Sequence, residues 1–130
     1  MKRVTGIGGI FFKSEDPKKL REWYGQYLDL KVTDWGSTFY WIDPNDLEAK
    51  VLARTEWSPF KNDTTYFSPS EKPFMFNYRV ENLVELLKVL SEEGVTVVGA
   101  IEEYPYGKFG WIMDPEGNKI ELWEPKDSGF

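Results

Sequence analysis

A carboxylate stands inside a stretch that should be apolar. In DPEGNKIELWEP, residues 114–125, Glu121 falls between Ile120 and Leu122. Held there, it can move a proton as general acid or base, meet a ligand, or pair with a base such as Lys50. The ordinary alternative is a strand residue facing water. Other groups with chemical capacity lie nearby in type, if not in sequence. Asn77 and Arg79 alternate on a candidate strand and so share a face, with Tyr78 on the other. Arg79 can grip a carboxylate or phosphate, or serve in a structural ion pair. Glu102, Glu103, Tyr104 and Tyr106 lead into GKFGW, which carries Trp111. That tyrosine-rich edge suits a ligand rim, and equally suits packing. Trp57, Phe60, Tyr66 and Phe67 punctuate the segment 54–73 and suit a lid, a dimer contact or a seal over the core.

Two absences narrow the chemistry. The chain has no cysteine and no histidine. Disulfides, thiolate nucleophiles, Ser-His-Asp triads and imidazole or thiolate metal sites are excluded. A metal would need oxygen ligands, which favours hard divalent ions. Acid–base work would fall to Glu, Asp, Lys or Tyr. Apparent motifs fail on inspection. GIGGIF has Phe11 where a dinucleotide loop needs its third glycine, and DPNDLE lacks the spacing of a calcium loop.

The net charge of −6 argues against a nucleic-acid partner. No apolar run is long enough to span a membrane, and the N-terminal apolar run ends at Lys13 without a cleavage site. A cytoplasmic location is the expectation. The 130 residues are 41% hydrophobic and 17% aromatic. A chain of that size cannot bury so many rings deeply, so some should line a cleft or an interface.

These groups need elements to hold them. Residues 4–12 read as a strand. Asp16-Pro17 opens a helix as cap and first-turn proline, with Leu20, Trp23, Tyr24, Tyr27 and Leu28 on one face. Short strands are expected at 30–34, 38–42 and 49–53, and 54–73 as a connector. Then the order recurs. There is a strand at 74–80, a helix capped by Asn82 with Glu85 three residues on, and strands at 95–102, 107–113 and 119–123. Aligning the halves sets Asp16 on Asn82, Leu20 on Leu86, Gly9 on Met75 and Asp43-Pro44 on Asp114-Pro115. The expected fold is α+β, with two βαβββ modules, 1–68 and 69–130, in one domain and curved mixed sheets around a cleft.

With that repeat in view, the chain resembles the vicinal oxygen chelate superfamily of glyoxalases, bleomycin-resistance proteins and extradiol dioxygenases. The resemblance rests on GIGGIFFKSEDPKKLREWYGQYLDL, NYRVENLVELLKVLSEEGV and FGWIMDPEGNKIELWEP. It implies paired modules round a cleft, commonly completed in a homodimer. It also implies four metal-ligand positions, which fall on Gly9, Lys50, Met75 and Glu121. Only Glu121 is a competent ligand. A two-residue shift would set Glu48 at the place of Lys50. The expectation is therefore no metal and no other cofactor. The function expected is binding of a small aromatic or planar ligand by Lys50, Trp57, Tyr66, Asn77, Arg79, Glu103, Tyr104, Tyr106 and Trp111. The alternatives are a metal-independent isomerase or lyase with Glu121 as base, and an atypical oxygen-ligated metalloenzyme.

Overall fold

A computed structural model describes residues 2–126, and seven strands and two helices are found among the described residues. In chain order they are β1 (Val4–Ser14), α1 (Pro17–Leu28), β2 (Ser37–Trp41), β3 (Ala53–Lys61), β4 (Phe74–Val80), α2 (Leu83–Glu92), β5 (Glu102–Tyr104), β6 (Gly107–Met113) and β7 (Lys119–Pro125). The fold is α+β, as the sequence led us to expect.

The strands form one mixed sheet in the order β2-β3-β1-β4-β7-β6-β5. Apart from the edge strand β5, that order is symmetric about the β1–β4 pair. β1 and β4 pair antiparallel. Each then pairs parallel with the last strand of its own half, β1 with β3 and β4 with β7. β2 and β6 follow antiparallel beyond these, and β5 pairs antiparallel with β6 at the far edge.

Capping fixes where each helix starts. The Asp16 carboxylate accepts from the Lys19 amide at 3.1 Å, with Pro17 in the first turn. The Asn82 side chain accepts from Glu85 N at 3.2 Å, and the Glu124 carboxylate accepts from Leu83 N at 2.9 Å. A main-chain donor at the start of α2 is thereby satisfied from β7. Leu83, Leu86 and Leu87 of α2 pack with Val80 and Leu122 into one core cluster. A second cluster, Phe67, Met75 and Trp111, holds the other face of the sheet.

Three strand expectations change. The stretch 30–34 contributes only a single bridge, Val32 to Ser37. The stretch 95–102 gives a bridge from Val97 to Ile112 and the first residue of β5. The third strand of the first half is β3, and residues 49–52 lie in an exposed turn segment before it. The polar residues and Pro59 of ARTEWSPFK made that strand look like connector. Its partners on both sides override local propensity. The true connector is 62–73.

Candidate functional site

Alternation along the strands decides which side chains meet. Asn77 pairs with Glu121 and Arg79 with Trp123 across β4 and β7. Trp111 pairs with Glu121 and Phe109 with Trp123 across β6 and β7. Those six side chains therefore share one face. The other face carries Val80 and Leu122 and is covered by α2.

Glu121 is the centre of the shared face and is only 2% exposed. It is not an unpartnered charge. Its Oε1 accepts from Asn77 Nδ2 at 2.7 Å, and its Oε2 accepts from Trp111 Nε1 at 2.9 Å. The Tyr66 hydroxyl donates a short bond to the same Oε2. Burial pushes the Glu121 pKa up, against the opposing pull of these three donors and of Lys119. Burial likewise raises the Tyr66 phenol, reinforced by the charge of Glu121.

Tyr66 reaches this site from the connector. It stacks on Phe60 at 5.7 Å and 11° and stands edge-on to Trp111 at 6.3 Å and 89°. Lys119 closes the corner. Its Nζ lies 5.4 Å from the Tyr66 ring centroid and 5.5 Å from that of Trp111, and it donates to Tyr66 O at 2.8 Å. Tyr66→Phe keeps the ring and removes the hydroxyl. It is expected to lower unfolding free energy in urea by about 1.5–3 kcal/mol, the usual scale for one hydrogen bond to a charged group.

The turn DPEGN sets the register that brings Trp111 opposite Glu121. Asp114 Oδ1 accepts from the amides of Glu116 and Asn118, both at 2.9 Å, and Gly117 takes a φ of 81°. Lys72 Nζ donates to Asn118 Oδ1 at 2.9 Å, tying the connector to the same turn.

On β1, Gly8 lies within a register irregularity between Ile7 and Gly9, and the two glycines leave bare backbone against the site. A Cβ on Gly8 would stand 2.2 Å from Asn77 Oδ1, and one on Gly9 would stand 2.6 Å from the Phe11 ring.

The expected residues divide in place. Tyr66, Asn77, Trp111 and Glu121 converge by direct contact. Tyr104 and Tyr106 stack at 5.3 Å and both pack on Phe109, forming a rim 42% and 38% exposed. Arg79 is buried on this face, its guanidinium 5.4 Å from the Trp41 ring centroid and 5.2 Å from that of Trp123. Three placements correct the sequence reading. Trp57 packs on Phe12 and on Tyr24 of α1, beneath that helix and away from Glu121. Glu103 pairs with Lys108, so it points away from Phe109, whereas Glu102 pairs with Phe109 on the site face. Lys50 and its alternative Glu48 lie in the exposed segment before β3. The cation whose charge acts on Glu121 is Lys119.

Sequence reasoning missed Glu56 and Lys119. A row runs across four strands: Glu56 on β3, Gly9 on β1, Asn77 on β4 and Glu121 on β7. Glu56 thus holds the place in the first half that Glu121 holds in the second. It accepts from Thr38 Oγ1 at 2.7 Å, and burial raises its pKa. Its signal was the alternation of Arg54, Glu56 and Ser58 with Thr55 and Trp57.

Of the four metal positions the resemblance implied, only Glu121 offers an oxygen ligand, and Glu56, which takes the station of Lys50 in the strand row, accepts from Thr38 Oγ1 instead. The Phe11 ring occupies the space a side chain at Gly9 would need. Met75 is a soft thioether packed with Phe67 and Trp111. Glu121 faces N–H and O–H hydrogens that a cation would have to displace. Among the described residues no three carboxylates gather at metal-binding distance. An open cavity of about 450 Å³ lies elsewhere, between the start of α1 and the end of β3, lined by Arg21, Trp35 and Phe60 among others. The chemistry is not there.

A seven-stranded sheet built from two matching halves defines the fold class on which the comparisons bear. The model of the glyoxalase/bleomycin resistance protein/dioxygenase superfamily matches residues 6–122, and the chain belongs to that superfamily. Solved structures share the fold at low identity. Methylmalonyl-CoA epimerase from Mycobacterium tuberculosis is 18% identical with a TM-score of 0.62, over 98% of this chain and 93% of that one. A methylmalonyl-CoA epimerase variant from Streptomyces coelicolor, in complex with 2-nitronate-propionyl-CoA, is 12% identical with a TM-score of 0.68, over 94% of this chain and 98% of that one. A catechol 2,3-dioxygenase is 16% identical with a TM-score of 0.55, over 99% of this chain and 42% of that one. No curated protein matches the chain significantly. Among the described residues no helix is long and apolar enough to cross a membrane.

Proposed function

We propose that this superfamily member binds a small planar, aromatic molecule on the Glu121 face of the sheet without the metal common in the family. One observation carries the reading. The partly exposed ring of Tyr66 contacts a buried carboxylate already supplied with three donors, and the exposed rings of Tyr104 and Tyr106 pack on Phe109 of the same face. Rings held by stacking on other rings offer flat apolar surface at small entropic cost, and a few fixed polar groups orient what lands there. The misfit of the metal positions supports the metal-free part of the proposal.

The test is a thermal-shift screen with planar aromatic cations, neutral compounds and acids, followed by titration monitored by tryptophan fluorescence. A hit is expected to bind equally with chelator or with added manganese. Tyr104→Ala is expected to weaken it several-fold, the scale of one lost ring contact. If no planar compound binds, or if every hit survives both Tyr104→Ala and Glu121→Gln unchanged, the proposal fails.

A second reading is a metal-independent isomerase or lyase with Glu121 as the base. The raised pKa of Glu121 favours it, because a base works best when its pKa approaches the ambient pH. A substrate would have to displace Tyr66 to reach the carboxylate. Turnover abolished by Glu121→Gln would support this reading; turnover unaffected by that change would exclude it.

A further inference from the structure

The corner formed by Tyr66 and Trp111 already holds a cation. Lys119 Nζ sits 5.4 Å and 5.5 Å from the two ring centroids, and the rings meet at 89°. Two walls of π density at a right angle are an arrangement that selects positive charge. Burial lowers the Lys119 pKa, and the charges of the Glu121 and Glu102 carboxylates partly offset that cost in favour of the ammonium. Glu102 also acts on the Tyr66 phenol and accepts a bond from the Tyr104 hydroxyl, so the rim tyrosine belongs to the same cluster. Among the described residues, the direct hydrogen bond that holds Lys119 here goes to a main-chain oxygen, Tyr66 O, at a partly exposed position. A long flexible side chain held this way is easily exchanged for another cation.

We propose that this corner is a binding cage for a planar organic cation, and that Lys119 occupies it as a built-in competitor until such a ligand displaces it. The inference rests on the reading of this face as a ligand site and specifies the ligand's charge. Entry of the ligand returns the Lys119 ammonium to water. It replaces one cation over the rings with another whose flat body also contacts Tyr104. The chain's own lysine thereby sets a threshold that weak or compact cations do not pass.

The test uses N-methylquinolinium and its neutral isostere quinoline at pH 8, with salt matched, against four proteins. These are the wild type, Lys119→Ala, Lys119→Ser and Lys119→Arg. Removing the competitor is expected to tighten N-methylquinolinium binding roughly tenfold, the scale of a partly desolvated cation–π contact. Quinoline should gain much less, and Lys119→Arg, which keeps a cation able to stack on the rings, should show no gain. The serine variant keeps the test open should the alanine variant fold poorly. No gain for the cation in either folded variant overturns the proposal. So does an equal gain for quinoline, which would mean that the change merely opened space. A wild type that binds neutral planar compounds with no cation-selective gain in the variants overturns the cage and leaves the broader reading standing, whereas a wild type that binds no planar compound of any charge ends both.

Discussion

Replacing Glu121 with alanine is expected to destabilise the protein by about 4 kcal/mol, measured by urea unfolding at pH 7. The change leaves Asn77 Nδ2 and Trp111 Nε1 without their acceptor, and both residues are almost fully buried. Each buried unmatched donor costs about 1–3 kcal/mol, and the vacated space adds to that. A loss under about 1 kcal/mol would show that water reaches these donors and that the carboxylate is not a keystone of the face. Glu121→Gln separates charge from shape. Because burial raises the folded-state pKa of Glu121, the folded protein holds this proton more tightly than the unfolded chain. The resulting contribution to stability is fully present below the ordinary carboxyl value of 4.5 and is lost as pH rises through the folded pKa. The glutamine variant lacks this loss. Its melting temperature relative to the wild type should therefore climb from pH 4.5 upward; a flat difference would contradict the assigned direction.

Gly8→Ala is the second change with a large expected effect, about 3 kcal/mol of lost stability. The new methyl would stand 2.2 Å from Asn77 Oδ1, 2.9 Å from Trp123 Cε3 and 3.1 Å from Arg79 Cγ. Asn77 is 1% exposed and cannot swing into solvent. Overpacking of a filled site costs about 1–3 kcal/mol, and displacing the amide also strips a donor from Glu121. Urea unfolding, with tryptophan emission read alongside, checks both parts. A near-neutral variant would mean that β1 can shift away from β4 at this point.

Much of the fold was legible because its signals are local. Asp16 and Asn82 announced the helix starts. The leucines of α2 marked its buried face. The strands at 74–80 and 107–113 were placed as they are found. β3 was illegible for a physical reason. A strand flanked by β1 and β2 takes its hydrogen bonds from partners distant in sequence, and Pro59 with five polar residues masks its period. That error propagated to the site. Matching Asp43-Pro44 to Asp114-Pro115 set Lys50 opposite Glu121, whereas strand pairing gives that station to Glu56. Glu121 itself was found because an acid in an apolar strand demands partners. Its partners were recoverable only in part: Asn77 and Trp111 were named from their strands, and Tyr66 from a connector whose path no local pattern dictates.

The central position of β1 carries a consequence for how the chain is made. β1 emerges before the other strands of this sheet, yet its neighbours are β3 and β4, and Val4 ends opposite Val80. Once β3 has emerged, the first half can close on itself, with one long side of β1 still bare. On that side the glycines offer little apolar surface, while Ile7 and Ile10 wait for Tyr78 and Phe76. The nascent protein should therefore pass through a half-built sheet whose open margin is the later midline of the molecule. Any crowding at Gly8 or Gly9 would be felt first at that moment of joining.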